Sequence, residues 1–345
     1  MDESFATSTQ EVNRQIDGVG RQALVVLVSF DLLGDGILYL MMADNLRRNG
    51  FSMTLVGNIA HGLRDWVPQL RTLPYPDADD FEQSLEQYDL ALVCPPSFIR
   101  DGMSEETLEI LKQTAVLLCQ KAPANWETEH ESRLRKRYAP EIFEQFRQLS
   151  RISPTIRYKK FSDESVVEVM LAYMREKMGL YQVSAHVSIN PPEELAYRRY
   201  LKRILVSPDS AWLEKKDWSA QGFMRVCDML EHKGFQPVAP HNHHQWLQRS
   251  CGRLEVPKFD SIAELAGYIY ELGALIANDS GSAHLASFLN IPVVAIYRKS
   301  NPNYWRPGRV FCPKMVLPGS NGRRIWRPYI RPATVFVQAK SETET

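Results

Sequence analysis

The chain has no excess charge of either sign, no paired cysteine motif and no long apolar run, and each absence closes off a class of function. Lys and Arg total 41 and Asp and Glu total 41, a formal net charge of +0 at pH 7, so there is no bulk electrostatic case for a nucleic-acid partner. The 5 cysteines, Cys94, Cys119, Cys227, Cys251 and Cys312, are scattered without a Cys-x-x-Cys pair. Their odd number argues against a disulfide framework and for a reducing compartment, the cytoplasm being the simplest. No apolar run approaches the about 20 residues that a membrane-spanning helix needs. Residues 1–22 carry Asp2, Glu3 and Glu11 and no apolar core. They do not read as a signal peptide but as a loose tail, as does Ser341 to Thr345.

What is present is a repeated alternation of apolar strands and helical spacing. At 345 residues the length suggests about two domains. Ala23 to Ser29 reads as a buried strand, Phe30 to Asp35 as a loop, Gly36 to Asn49 as a helix stopped by Gly50, and Ser52 to Gly57 as a second strand. Asp89 to Cys94 and Ala115 to Cys119 are further strands, and Asp163 to Met178 is a helix with Val166, Val167, Val169, Met170 and Tyr173 inward. The alternation restarts at Arg203 to Ser207, continues through a helix from Asp217 to Gly234 and a strand Gln236 to Ala239, and reaches a capping box at Ser261-x-x-Glu264. Pro191-Pro192 is the expected boundary, giving a domain over 23–190 and a second over 191–340, each an α/β fold with a doubly wound parallel sheet.

Two polar turns carry the chemistry. Between the apolar runs Ala274 to Ala277 and Val293 to Tyr297 lies Asn278-Asp279-Ser280-Gly281-Ser282, followed by a short helix. A turn from the carboxyl end of a strand to the amino end of a helix offers unpaired N–H groups and the positive end of the helix dipole, which suit a diphosphate. Gly281 admits close backbone approach, Ser280 and Ser282 add hydroxyls, and His284 falls in the first helical turn. The plainer alternative is that Asp279 or Ser280 caps the helix and His284 packs. The second turn, Leu33-Gly34-Asp35-Gly36, follows the first strand. It has the first two glycines of a dinucleotide fingerprint, but Tyr39 stands where the third would fall and no acid ends the second strand. Asp35 is therefore either a functional carboxylate or the cap of the helix after it.

The run Asn278 to Ala286, followed by Ile-Pro-Val-Val-Ala, resembles the signature of the heptosyltransferase family of bacterial glycosyltransferases, family nine. The resemblance implies a GT-B fold, two Rossmann-like domains facing a cleft. It implies transfer of a heptose from ADP-heptose to a lipopolysaccharide-core acceptor, inverting and without a metal or other cofactor. Asp35 matches the family's proposed catalytic base. Lys216, in Lys215-Lys216-Asp217-Trp218, matches a phosphate-binding lysine, and Asp279, Ser280, Gly281, Ser282 and His284 match the donor-diphosphate site. The resemblance covers most of Arg203 to Pro307, and Ala23 to Gly57.

One departure concerns the nucleoside. After Gln236 to Ala239 the family carries a glutamate for the ribose hydroxyls, whereas this chain reads Pro240-His241-Asn242-His243-His244. Ser207, His241 and His243 are the remaining candidates for nucleoside contacts, and which nucleotide is bound stays open. Zinc is a weaker reading of these histidines, since adjacent His243 and His244 rarely face one ion and no Cys or acid completes a set. Arg133, Arg135, Lys136, Arg137, Arg151, Arg157, Lys159 and Lys160 make a basic stretch with two readings: a surface for an anionic acceptor or for the inner membrane, or a solvated helix face. The basic, aromatic run Asn321 to Arg331 either covers the cleft, touches membrane, or packs. Two other functions remain open, a sugar-nucleotide epimerase of the same fold and a non-catalytic sugar-nucleotide binding protein.

Overall fold

The computed structural model describes residues 23–97, 115–118, 130–151, 156, 164–210, 216–240, 255–297 and 315–316. The apolar runs become strands of two parallel sheets, whose faces are covered by the helices that connect the strands. The first sheet comprises β1 (Leu24–Val28), β2 (Ser52–Val56), β3 (Arg71–Leu73), β4 (Leu90–Val93) and β5 (Ala115–Leu117), in the order β3-β2-β1-β4-β5. All its pairings are parallel, with Val26 of β1 between Thr54 of β2 and Ala91 of β4. The second comprises β6 (Tyr200–Ser207), β7 (Gln236–Val238), β8 (Leu272–Asn278), β9 (Val293–Ile296) and β10 (Met315–Val316), ordered β10-β9-β8-β6-β7 and again parallel. Pro237 is tolerated in β7 because β7 is an edge strand.

The helices described are α1 (Leu33–Arg48), α2 (Asn58–Gly62), α3 (Phe81–Leu85), α4 (His130–Arg137), α5 (Pro140–Phe146), α6 (Val166–Glu176), α7 (Ala220–His232), α8 (Ile262–Tyr270) and α9 (Gly281–Phe288). In each sheet the chain order reverses beside the first strand, between β1 and β4 and between β6 and β8, and there a crevice opens at the carboxyl ends of the strands. The two domains present these ends to each other, giving the expected two-domain α/β architecture.

Several boundaries differ from the sequence expectation. Helix α1 begins at Leu33 rather than Gly36, which puts Asp35 in its first turn instead of in a loop. Helix α7 begins after Ser219, whose side chain accepts from Gly222 N at 3.1 Å, so Asp217 and Trp218 stay outside it. At α6, Ser165 and Glu168 form a reciprocal capping box, and the inward face is the expected one with Met174 added. At α8, Ser261 caps as expected, but the Glu264 carboxylate accepts from Asp260 N, one residue before the cap. Of the basic stretch, Arg135 pairs with Glu131 at 2.7 Å and lies over the Phe143 ring, a solvated face locked to its own helices. Arg157, Lys159, Lys160 and the run 321–331 lie outside the described residues.

Helix α1 joins the domains. On one side Asn45 and Asn49 hold the chain that follows α6: Ser184 N donates to Asn45 Oδ1 at 2.7 Å, and Asn49 Nδ2 donates to Gln182 O at 2.8 Å. Backbone bonds to the first domain continue to Asn190, which donates to Trp66 O, and from Ala196 onward they go to Tyr270 and Glu271 of the second. On its other side α1 packs on α9, and one apolar cluster runs unbroken from Leu27 and Leu40 to Leu275 and Leu285.

Candidate active site

Asp35 and the 279–284 turn, 244 residues apart at their nearest, line the same cleft, of about 520 Å³. The first domain contributes Leu32, Leu33, Gly34, Asp35 and Leu38. The second contributes Ser207, Lys216, Asp279, Ser280, Gly281, Ser282 and His284, with a largely apolar wall that includes Leu205, Pro240, Phe259, Ile262 and Leu265. The volume lies within the range of small-molecule sites, and the mix of apolar wall and convergent polar groups is typical of them.

The turn between Asn278 and Ser282 is shorter than its sequence suggests, because β8 runs to Asn278 and α9 starts at Gly281. Ser280 occupies the N-cap position but makes no side-chain cap bond. Its Oγ instead meets Ser282 Oγ at 2.9 Å, and Ser282 Oγ meets Ser207 Oγ at 3.1 Å, so a row of hydroxyls crosses from β6 to α9. With no side chain on the first amides of α9, their N–H groups and the helix dipole face the cleft. Helix α1 also lacks a side-chain cap, since its N-cap residue is Leu32. Asp35 is therefore not the N-cap residue but lies in the first turn of α1, where a carboxylate also suits the helix dipole. His284 is buried, and desolvation pushes its imidazole down to about 4, with Asp279 opposing and Lys216 reinforcing the shift. The ring is thus neutral near pH 7 and offers one N–H donor and one acceptor.

Lys216 Nζ stands 2.9 Å from Asp279 Oδ2. Asp279 is only 4% exposed, and its carboxylate is placed to hold the lysine. Asn278, fully buried, fixes the loop that delivers Lys216: its Oδ1 accepts from Trp218 N at 3.0 Å, and its Nδ2 donates to Pro208 O and, at 3.3 Å, to Asp217 Oδ1. Sequence reasoning quoted Asn278 without giving it a role. A buried amide at the last position of a central strand was the available signal, because it must find partners.

The glycines of the Asp35 turn have a packing reason that no fingerprint supplies. A Cβ on Gly36 would stand 2.7 Å from Ile59 Cβ of α2, and one on Gly34 would stand 3.2 Å from His284 Cδ2. The motif lets α1 lie close to α2 and close to the other domain. Two tyrosines near Asp35 were also missed. Burial raises the Tyr39 phenol well above its usual range, with Cys94 and Asp35 adding to the effect, and burial raises Tyr75 to about 12, so both remain protonated donors. Tyr75 OH donates to Ser29 O at 2.8 Å at the end of β1. The structure brings Ser207 against Ser282; His241 and His243 lie outside the described residues. Among the described residues no helix is long and apolar enough to cross a membrane.

Residues 143–311 match the family model described as glycosyltransferase family 9 (heptosyltransferase). The chain carries a glycosyltransferase family 9 domain. Among solved structures it is similar to the family 9 glycosyl transferase of Veillonella parvula, with a TM-score of 0.59 at 17% identity over 95% of this chain and 99% of that one. It is similar also to ADP-heptose lipopolysaccharide heptosyltransferase II of E. coli, with a TM-score of 0.61 at 14% identity over 93% and 98% of the two chains. Against E. coli heptosyltransferase WaaC with ADP the TM-score is 0.59, at 14% identity over 92% and 99%. At these identities the likeness is one of fold, the GT-B arrangement of both domains. No curated protein sequence matches the chain. The matched segment of this glycosyltransferase contains the whole 278–284 turn and Lys216, while Asp35 lies outside it.

Proposed function

We propose that this glycosyltransferase moves a sugar, a heptose, from a nucleoside-diphosphate donor to a hydroxyl of a lipopolysaccharide-core or other glycan acceptor, with inversion and without a metal. The observation that carries the reading is that Asp35 of one domain and the Lys216, Ser280–Ser282 and His284 group of the other line one cleft. The diphosphate lies at the amino end of α9, where amides, hydroxyls and Lys216 balance its charge, and the apolar wall with Phe259 receives the nucleobase. Asp35 accepts the proton of the acceptor hydroxyl as its oxygen attacks the anomeric carbon from the face opposite the diphosphate. The bond from that carbon to the phosphate oxygen breaks, and its electron pair leaves on the nucleoside diphosphate, where the Lys216 charge and the α9 dipole stabilise it. The heptosyltransferases of similar fold named with ADP or ADP-heptose support an adenine nucleotide as the donor.

The test is to incubate the protein with ADP-heptose and a deacylated lipopolysaccharide-core acceptor, following ADP release and assigning the anomeric configuration of the product by NMR. Acceptor-dependent ADP release with an inverted anomer is expected. Consumption or epimerisation of the donor with no acceptor present, or binding without turnover, refutes the assignment.

A further inference from the structure

Leu205 and Ser207 lie two residues apart on β6, so they share one face of the sheet. Ser207 stands in the hydroxyl row beside α9, and Leu205 leads away from it along the cleft wall that includes Pro240 and Phe259. Phe259 belongs to a short strap, residues 256–260, that is fixed at both ends. At one end Ala239 N donates to Glu255 O at 3.1 Å, and Glu255 Oε2 stands 3.5 Å from Arg203 Nη2. At the other, Asp260 N donates to Glu264 Oε2 at 2.9 Å, and Ser261 Oγ accepts from Glu264 N at 3.1 Å. Phe259 is half-buried and lines the cleft, and its ring meets the ring of Tyr268 with centroids 5.2 Å apart and planes tilted by 56°. Tyr268 lies one turn beyond Leu265 on α8, along the helix face whose Ile262 and Leu265 line the cleft, but does not line it itself. It packs against the main apolar cluster, and its hydroxyl reaches Glu255 Oε1 at 3.5 Å. The tyrosine thus backs the phenylalanine from outside the cleft.

We propose that the Phe259 ring is the platform on which the donor's nucleobase stacks, and that Tyr268 is a positioning residue that sets the orientation of that ring. The proposal rests on the donor site proposed above. A nucleobase offers a flat π face whatever its edge carries, so an aromatic side chain is a natural partner for it. Phe has only two side-chain torsions, and the strap, pinned at Glu255 and Asp260, fixes where its ring begins. The tilted contact with Tyr268 limits the remaining swing, so little rotamer freedom is left to lose when the base arrives. Stacking adds affinity for the nucleotide without touching the reacting atoms. Loss of either ring therefore raises KM for the donor and leaves kcat at saturating donor unchanged.

The experiment compares ADP with inorganic pyrophosphate, which carries the diphosphate and no base, by calorimetric titration of the full chain. Phe259→Ala should weaken ADP about tenfold, the scale of one base stacked on one aromatic ring. Tyr268→Leu should weaken ADP about threefold, the scale of one aromatic pair. Pyrophosphate affinity should match the wild type in both variants. Tyr268→Phe keeps the ring contact and should bind ADP as the wild type does. ADP affinity unmoved in Phe259→Ala or in Tyr268→Leu, or pyrophosphate weakened as much as ADP, overturns the proposal. So does Tyr268→Phe behaving like Tyr268→Leu. A wild type that binds neither ligand overturns the donor site itself, whereas a wild type that binds pyrophosphate as tightly as ADP overturns the platform alone.

Discussion

Gly281 lies against the first domain so closely that a Cβ built on it would stand 2.6 Å from Leu33 Cβ and 2.9 Å from the Gly34 nitrogen. The glycine in the diphosphate turn is thus required by the contact between domains as well as by any ligand. Gly281→Ala should push α1 and α9 apart, separating Asp35 from the donor site. Turnover should fall at least tenfold, while each domain keeps its own sheet and far-UV circular dichroism is unchanged. A fully active Gly281→Ala protein would mean that the domains do not need this contact.

Lys216 and Asp279 should behave as a unit. Lys216→Ala removes the cation that faces the leaving diphosphate and should cost about two to three orders of magnitude in kcat/KM, the scale of losing one preorganised charge-stabilising group. Asp279→Asn leaves the lysine in place but less constrained, and should cost about tenfold. The double variant should be no worse than Lys216→Ala, since Asp279 acts through the lysine; additive losses in a double-mutant cycle would show that it acts on its own.

The strands were legible because a strand buried on both faces leaves a continuous apolar run, as at Ala23 to Ser29 and Ala274 to Ala277. The edge strands β3 and β10 carry no such run, being 3 and 2 residues long, and were not expected. The strand, turn and helix around Ser280 could be read because the pattern is local: one strand end, one helix start, small polar residues between. The close approach of Gly34 to His284 and the Asn278 tie to Trp218 depend on residues distant in sequence. No periodicity or short motif encodes them. The same holds for the start of α1, where the N-cap Leu32 has no capping side chain and Leu33 and Gly34 pack closely against Gly281 of α9.

His284 gives a sign for pH dependence. Its folded pKa of about 4 lies below the ordinary 6.5, so the unfolded chain takes up this proton first. Stability from this group is intact above pH 6.5 and is lost as pH falls toward 4, by about 3 kcal/mol in all. His284→Gln cannot titrate, so its Tm should fall less steeply than that of the wild type between pH 7 and 4. Parallel slopes would place the imidazole in solvent rather than in the protein interior.

Activity should persist in excess EDTA at the level seen without it. The amides of α9, its dipole and Lys216 place positive charge where the diphosphate leaves, the part a divalent ion plays in other transferases. Loss of turnover in chelator that magnesium or manganese restores would refute this.

The strongest test falls on Asp35. It sits in the first turn of α1, just beyond β1, and lines the cleft opposite the diphosphate turn. It is not the N-cap residue of α1, and the fold's use of its charge is at most the modest favour that a first-turn carboxylate has from the helix dipole. A carboxylate there accepts the proton of an attacking hydroxyl, and an amide of the same shape does not. Asp35→Asn should keep ADP affinity and Tm near wild type and lower kcat by about two to four orders of magnitude, the usual share of a positioned general base. Because the neighbouring Tyr39 and Tyr75 phenols have their pKa values raised, neither should substitute as a base near neutral pH. A residual rate in Asp35→Asn that rises with pH would therefore come from hydroxide or the acceptor's own ionisation. If the variant transfers sugar at close to the wild-type rate at pH 7, the base is another group in the cleft and the assignment of Asp35 is wrong.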